Sequence, residues 1–186
     1  MDDKTKILLT SAEMATLWVQ YMNDTAANCV LSYFIEKADD SEVKSIIEFA
    51  HDSSKKNIVN LQEIFKKEGF PIPIGFTKSD VNISAARLFS DSYVLMYLRN
   101  MSVLGMAASG IALGLVTRDD IAAFQKQVLK SAVILQDLAK GLMLKQGTYI
   151  RPPFISTPDK AVYIEGQHFL AGFLGEIRPL TAIEIT

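Results

Sequence analysis

The sequence predicts an all-α protein, a bundle of four helices, and three observations carry that reading. Four stretches of about 26–28 residues each place apolar residues at three- and four-residue spacing. Short turn-forming segments join the first stretch to the second and the third to the fourth, while roughly 20 residues rich in Pro and Gly separate the second from the third. The third stretch, Ser90 to Val116, has no charge between Arg99 and Arg118 and is dense in small residues around Gly105, Gly110 and Gly114. Each mid-helix glycine costs about 0.8–1.0 kcal/mol relative to alanine. The expectation is therefore that these three glycines admit a close neighbour, and that the third helix lies at the centre of the bundle.

The first helix is expected over about 10–37. Thr10-Ser-Ala-Glu13 reads as a capping box, with Leu9 and Met14 as its hydrophobic staple. The stripe Met14, Leu17, Trp18, Tyr21, Thr25, Cys29 and Ser32, with Asn28 beside it, is the expected core face. The second helix, about 41–68, starts from Asp39-Asp40-Ser41 and stops at Gly69; its core stripe is Val43, Ile47, Ala50, Ser54, Ile58, Leu61 and Phe65.

Pro71, Pro73, Gly69 and Gly75 then forbid a continuing helix. A connection of that length can travel the whole bundle and set the second and third helices parallel, the ferritin-like arrangement with one long crossover. The third helix is expected over about 91–116. The fourth, about 118–145, is expected to be capped by Thr117 and to carry the apolar stripe Ile121, Phe124, Val128, Ala132, Leu135, Leu138, Ala139 and Leu142. Residues 1–147 thus form the bundle, and 148–186 an extended tail expected to pack on it, with a short helical piece near 167–173. Thr181 and Glu184, flanked by Leu180 and Ile185, repeat the Thr10–Glu13 signal, which is expected to be the start of a second such bundle.

Composition bounds the function. A net charge of −2 and a pI near 5.7 give no footprint for nucleic acid or an anionic membrane. The 18 uncharged residues from Asn100 to Thr117 reach the lower edge of membrane-spanning length, and the expectation is a buried bundle helix with no membrane partner. The apolar run Ile7–Leu9 is too short for a signal peptide, and the expectation is a cytoplasmic, intracellular protein. The lone Cys29 is expected to be an inert apolar filler.

A ferritin-like scaffold raises the question of a di-metal site, which needs a Glu from each of two helices and Glu-x-x-His from the other two. Glu48 and His51 have that spacing, but Glu48 falls off the core stripe and the fourth helix contains neither Glu nor His. No metal, cofactor or catalytic residue is expected, and no enzyme activity; a degenerate di-metal protein retaining Glu48 and His51 is the second alternative. The inward polar groups are instead amides and hydroxyls. Tyr21, Asn28, Asn57, Tyr97, Asn100 and Gly105 are the candidates for a polar spot in an apolar pocket that would take a small apolar ligand.

The segments LTSAEMATLWVQYMNDTAANCVLSYF, EGFPIPIGFTKSDVN with RLFSDSY, GTYIRPPFI and FLGEIRPL resemble domain-of-unknown-function family 3231. These are ferritin-like four-helix proteins of spore-forming bacteria, similar in architecture to spore coat protein F. The resemblance implies the bundle fold and a structural or interaction role linked to the spore coat or sporulation. Its expected partners are further copies of the chain or other coat proteins, and it implies no catalytic residues.

Overall fold

The computed structural model describes residues 7–155 and 157. Four long helices make up the fold: α1 (Ser11–Lys37), α2 (Ser41–Glu68), α3 (Asp91–Leu115) and α4 (Asp119–Lys145), with a 3-10 turn at Lys78–Asp80. No strand occurs among the described residues. The chain divides into two compact units, Met1–Tyr149 and Ile150–Thr186. In the second, residues 150–155 have no regular secondary structure. The tail's expected helical piece near 167–173 and the repeated signal at 180–186 lie outside the described residues.

Local chemistry fixes most helix ends. The Thr10 hydroxyl accepts from the Glu13 amide at 3.1 Å, and the Glu13 carboxylate accepts from the Thr10 amide at 2.8 Å, completing the capping box. Asp40 caps α2 by accepting from the amides of Glu42 and Val43. Gly69 closes α2 at φ 75°, a left-handed conformation that costs other residues about 1 kcal/mol or more. Ser90 caps α3 by accepting from the Tyr93 amide.

The start of α4 differs from expectation. Its N-cap residue is Arg118, with no side-chain cap of its own, and Thr117 does not cap it. The second Glu13 oxygen reaches across from α1 instead, accepting from the amides of Thr117 at 2.8 Å and Arg118 at 3.0 Å. Glu13 therefore serves two helix starts at once.

Contacts between helix ends give the topology. The start of α4 meets the end of α2 through Arg118–Glu68, and its finish meets the start of α2 through Lys145–Glu42, so these two run antiparallel. The Asp40 amide donates to the Asp91 carboxylate, which sets the starts of α2 and α3 at the same end and makes them parallel. Residues 69–90 therefore traverse the full bundle, the long crossover of the ferritin-like arrangement.

That crossover lies along α1. The Thr25 hydroxyl accepts from the Phe76 amide, the Cys29 thiol donates to the Thr77 carbonyl, and the Tyr33 hydroxyl donates to the Ala86 carbonyl while accepting from the Leu88 amide. Gly75 sits so close that a Cβ there would lie 2.7 Å from the Thr25 hydroxyl oxygen and 3.0 Å from the Tyr21 ring. The stripe Tyr21–Thr25–Cys29 is thus covered by the connection. Cys29 is half-buried, and burial raises its thiol pKa.

Two apolar clusters fill the interior. One, toward the start of α2, gathers Leu31, Phe34, Val43, Ile47, Leu95, Leu98, Ala139 and Met143; the other gathers Leu17, Tyr21, Leu61, Phe65, Ile121 and Phe124. At about 25 cal/mol per Å² of apolar surface, these side chains supply the main stabilising term. The layer between them is polar. Buried Ser54, Asn57, Ser102, Ser109 and Gln125 occupy it.

The third helix is not the centre of the bundle. Its inner face is buried, but Met96, Val103, Leu104, Ile111 and Leu115 are exposed, Leu104 and Ile111 each at 68%. A Cβ on Gly110 or Gly114 would meet nothing within 4 Å, and one on Gly105 would meet only the Ala132 methyl at 3.5 Å. The glycines admit no close neighbour. Small side chains are equally compatible with tight approach and with open space, and here they border open space. By length and composition α3 could cross a membrane, and only 22% of its apolar window is buried in the fold, so it is not the buried helix expected from its lack of charge.

Candidate functional site

A groove of about 800 Å³ runs alongside the polar middle layer, with walls from all four helices; of the α3 glycines Gly105 lines it, whereas Gly110 and Gly114 do not. It arises because α1 packs chiefly on α2 and α3 chiefly on α4, while α1 and α3 meet only sparsely. Val19 and Val30 from α1 and Met101, Leu104 and Ile111 from α3 make much of its apolar surface. Val128 and Leu135 of α4 continue the same lining.

Asp24 is the one charged side chain among the described residues lining this groove. Its Oδ1 accepts from the Asn57 amide at a long 3.4 Å, and its Oδ2 is buried without any hydrogen-bond partner. Burial pushes the carboxyl up to about 7, against the smaller opposing pull of hydrogen bonds from Asn57 and Gln20. Gln20 itself accepts from Gln125 of α4 at 3.0 Å, so α1, α2 and α4 are joined by amides around one under-satisfied acid. A buried polar atom left unpaired costs about 1–3 kcal/mol, more if charged.

The sequence-derived pocket residues divide in two. Asn57, Tyr97 and Gly105 do line the groove. Tyr21 does not: it packs edge-on against Phe65, its hydroxyl accepts from Gln62, and the crossover covers it. Asn28 does not line it but donates to the hydroxyl of Ser54, which does, and Asn100 is exposed. The reason for these three misses is angular. The groove opens about one residue around α1 from the expected stripe, on the Gln20–Asp24 side, and Asn100 belongs to the outer face of α3.

Sequence reading missed Asp24, Gln20 and Gln125. The available signal was Asp24 itself, a short acid of poor helix propensity placed in mid-helix within the polar run Asn23-Asp24-Thr25.

Glu48 and His51 do not converge. Glu48 is exposed. The His51 Nε2 lies 3.2 Å from the Ser32 hydroxyl, which already donates to the Asn28 carbonyl, so the ring must donate there. Burial, helped by Lys55, lowers the His51 pKa. Among the described residues no three His, Cys, Asp or Glu side chains gather as a metal site would require.

A second surface stands beside the groove. Tyr93, Met96, Val103, Leu104, Ile111 and Leu115 form an exposed apolar face on α3. Contiguous apolar patches of this kind commonly mark interaction sites.

Comparison with known proteins follows the same lines. The family described as "Protein of unknown function (DUF3231)" matches residues 2–161. No curated protein matches the chain. The crystal structure of a "putative spore coat protein" from Bacillus halodurans C-125 is similar, with a TM-score of 0.72 and 19% identity, over 81% of this chain and 98% of that one. A DUF305 fragment from Deinococcus radiodurans gives a TM-score of 0.63 at 10% identity, over 75% of this chain and 99% of the other. At such identities the likeness shows the fold alone.

Proposed function

This chain belongs to the DUF3231 family, whose function is unknown, and from that membership we propose that it is a non-enzymatic interaction protein of the spore coat or of sporulation. The observation that carries this reading is the exposed apolar face of α3, from Tyr93 to Leu115. A helix with six large apolar side chains on its outer face gains free energy by covering them, at about 25 cal/mol per Å². A second copy of the chain, or another coat protein, supplies the cover. The similarity to a "putative spore coat protein" supports the same assignment.

The test is localisation. A fluorescent fusion expressed in a sporulating bacterium should concentrate on the developing spore. Val103→Asp with Leu115→Asp, two residues that do not line the groove, should disperse it. Uniform fluorescence of the unaltered fusion through sporulation would overturn the assignment.

The groove favours a second reading, a bundle that binds a small apolar molecule. Pockets of about 300–1,000 Å³ with apolar walls and few polar groups suit such ligands, and this groove has that volume and lining.

A further inference from the structure

Three features of the groove bear on what it would hold. Its length is apolar, with Val19, Val30, Met101, Leu104, Val128 and Leu135 along the walls. Among the described residues that line it, Asp24 is the single charged side chain, and none is Lys, Arg or His. The Asp24 Oδ2 is buried and has no donor, although Asn57 and Gln20 stand beside the carboxyl. The other polar side chains at that level, Asn23, Asn57, Ser109 and Gln125 among them, are uncharged.

We propose that the groove binds a linear aliphatic amine, its ammonium group donating to Asp24 and its hydrocarbon chain lying against the apolar walls. This assignment rests on the ligand-binding reading above and names its chemistry. An ammonium supplies both things the site lacks, a positive charge and hydrogen-bond donors for Oδ2. A carboxylate ligand such as a fatty acid would meet Asp24 as a like charge in a low-dielectric site, and is rejected. An alcohol of equal length fills the same walls and can donate one hydrogen bond, but brings no charge.

Burial holds the Asp24 carboxyl near 7 in the empty groove, so at pH 8 it is mostly ionised and ready for a cation. A fold that keeps a destabilising acid in mid-helix has the signature of a site whose partner comes from outside.

The experiment is titration calorimetry at pH 8 with decylamine, decanol and decanoate, each below its micelle concentration, on three proteins: the natural sequence, Asp24→Asn and Ala108→Phe. Asp24→Asn keeps the shape and removes the charge. Ala108→Phe adds a ring at the groove wall, at a residue that is exposed there.

The natural protein should bind decylamine about tenfold or more tightly than decanol, a difference of about 1.4 kcal/mol, and should not bind decanoate measurably. Asp24→Asn should bring decylamine down to the decanol level, and Ala108→Phe should weaken both. Equal binding of amine and alcohol, or an amine preference that survives in Asp24→Asn, would overturn the amine assignment while leaving an apolar-ligand site in place. Absence of binding by all three probes would overturn the assignment and the ligand-binding reading together.

Discussion

Two carboxylates on one helix show opposite solutions to the same problem. Glu13 and Asp24 both lie on α1, the first at the bundle end and the second in the groove wall. Desolvation is the largest influence on each, and it favours the neutral acid in both places. Glu13 nevertheless ionises at about 2, because the amides of Thr10, Thr117 and Arg118 and the Thr10 hydroxyl together outweigh its burial. Asp24 has a long bond from Asn57, the smaller pull of Gln20 and a second oxygen without a partner, and its carboxyl rises to about 7. Burial sets the cost of a charge, and the number of donors aimed at it decides the outcome.

The largest effect should come from Glu13→Ala. It removes the reciprocal half of the capping box and leaves two amides of α4 unserved, at a cost of about 2–4 kcal/mol. Urea unfolding measures it, and a loss below about 1 kcal/mol would mean that water replaces the carboxylate without difficulty.

Asp24→Asn should move stability the other way, by about 2 kcal/mol at pH 8. The two acids also have opposite pH signatures. Glu13, depressed from 4.5 to about 2, contributes stability that is present above the ordinary value and lost as pH falls toward 2. Asp24, raised from 3.8 to about 7, takes up a proton on folding between those values, so its contribution falls as pH rises from about 4 to 7 and is flat above. Melting curves from pH 4 to 8 should therefore slope downward for the natural protein and lose that slope in Asp24→Asn. An unchanged slope would place the titration elsewhere.

A smaller effect sharpens the role of burial. At the opposite end of the bundle Arg87 pairs with Asp39 and Asp91, but it is 36% exposed and Asp39 is 76% exposed. Arg87→Ala should cost no more than about 1 kcal/mol in the same urea experiment. The smallest effect should be that of Gly110→Leu, within about 0.5 kcal/mol of the natural protein, because the added side chain enters open space. A loss of 1–3 kcal/mol, typical of overpacking, would mean that something covers the outer face of α3 in solution.

What the sequence made legible was local. The Thr10–Glu13 box, the Asp40 cap, the Gly69 stop and the Pro- and Gly-punctuated crossover are each written within a few residues. Periodicity also identified most of each apolar face, but it placed Trp18 and Leu138 on core stripes although both are exposed, because a stripe's edge reaches past the contact. It could not say what covers each one. Tyr21, Thr25 and Cys29 look like core residues, yet their cover is the crossover, some 50 residues away in the chain for Thr25. The glycines of α3 signal an absence of side chain, and an absence does not distinguish contact from a gap. Asp24 escaped notice because its meaning depends on Asn57 and Gln125, neighbours that only the assembled bundle supplies.

The cap that Glu13 provides to α4 has a consequence for the order in which the protein can be made. The donor amides of Thr117 and Arg118 lie 104 and 105 residues beyond their acceptor. Contacts of that separation form late and slow the search for the native state. During synthesis α1 and α2 emerge first, pair through adjacent chain, and hold a charged acceptor ready before α4 exists. The first hairpin thus acts as a template on which the second completes its nucleus. Separately produced fragments ending and beginning within the crossover should behave accordingly, with the second fragment gaining helix content only when the first is added.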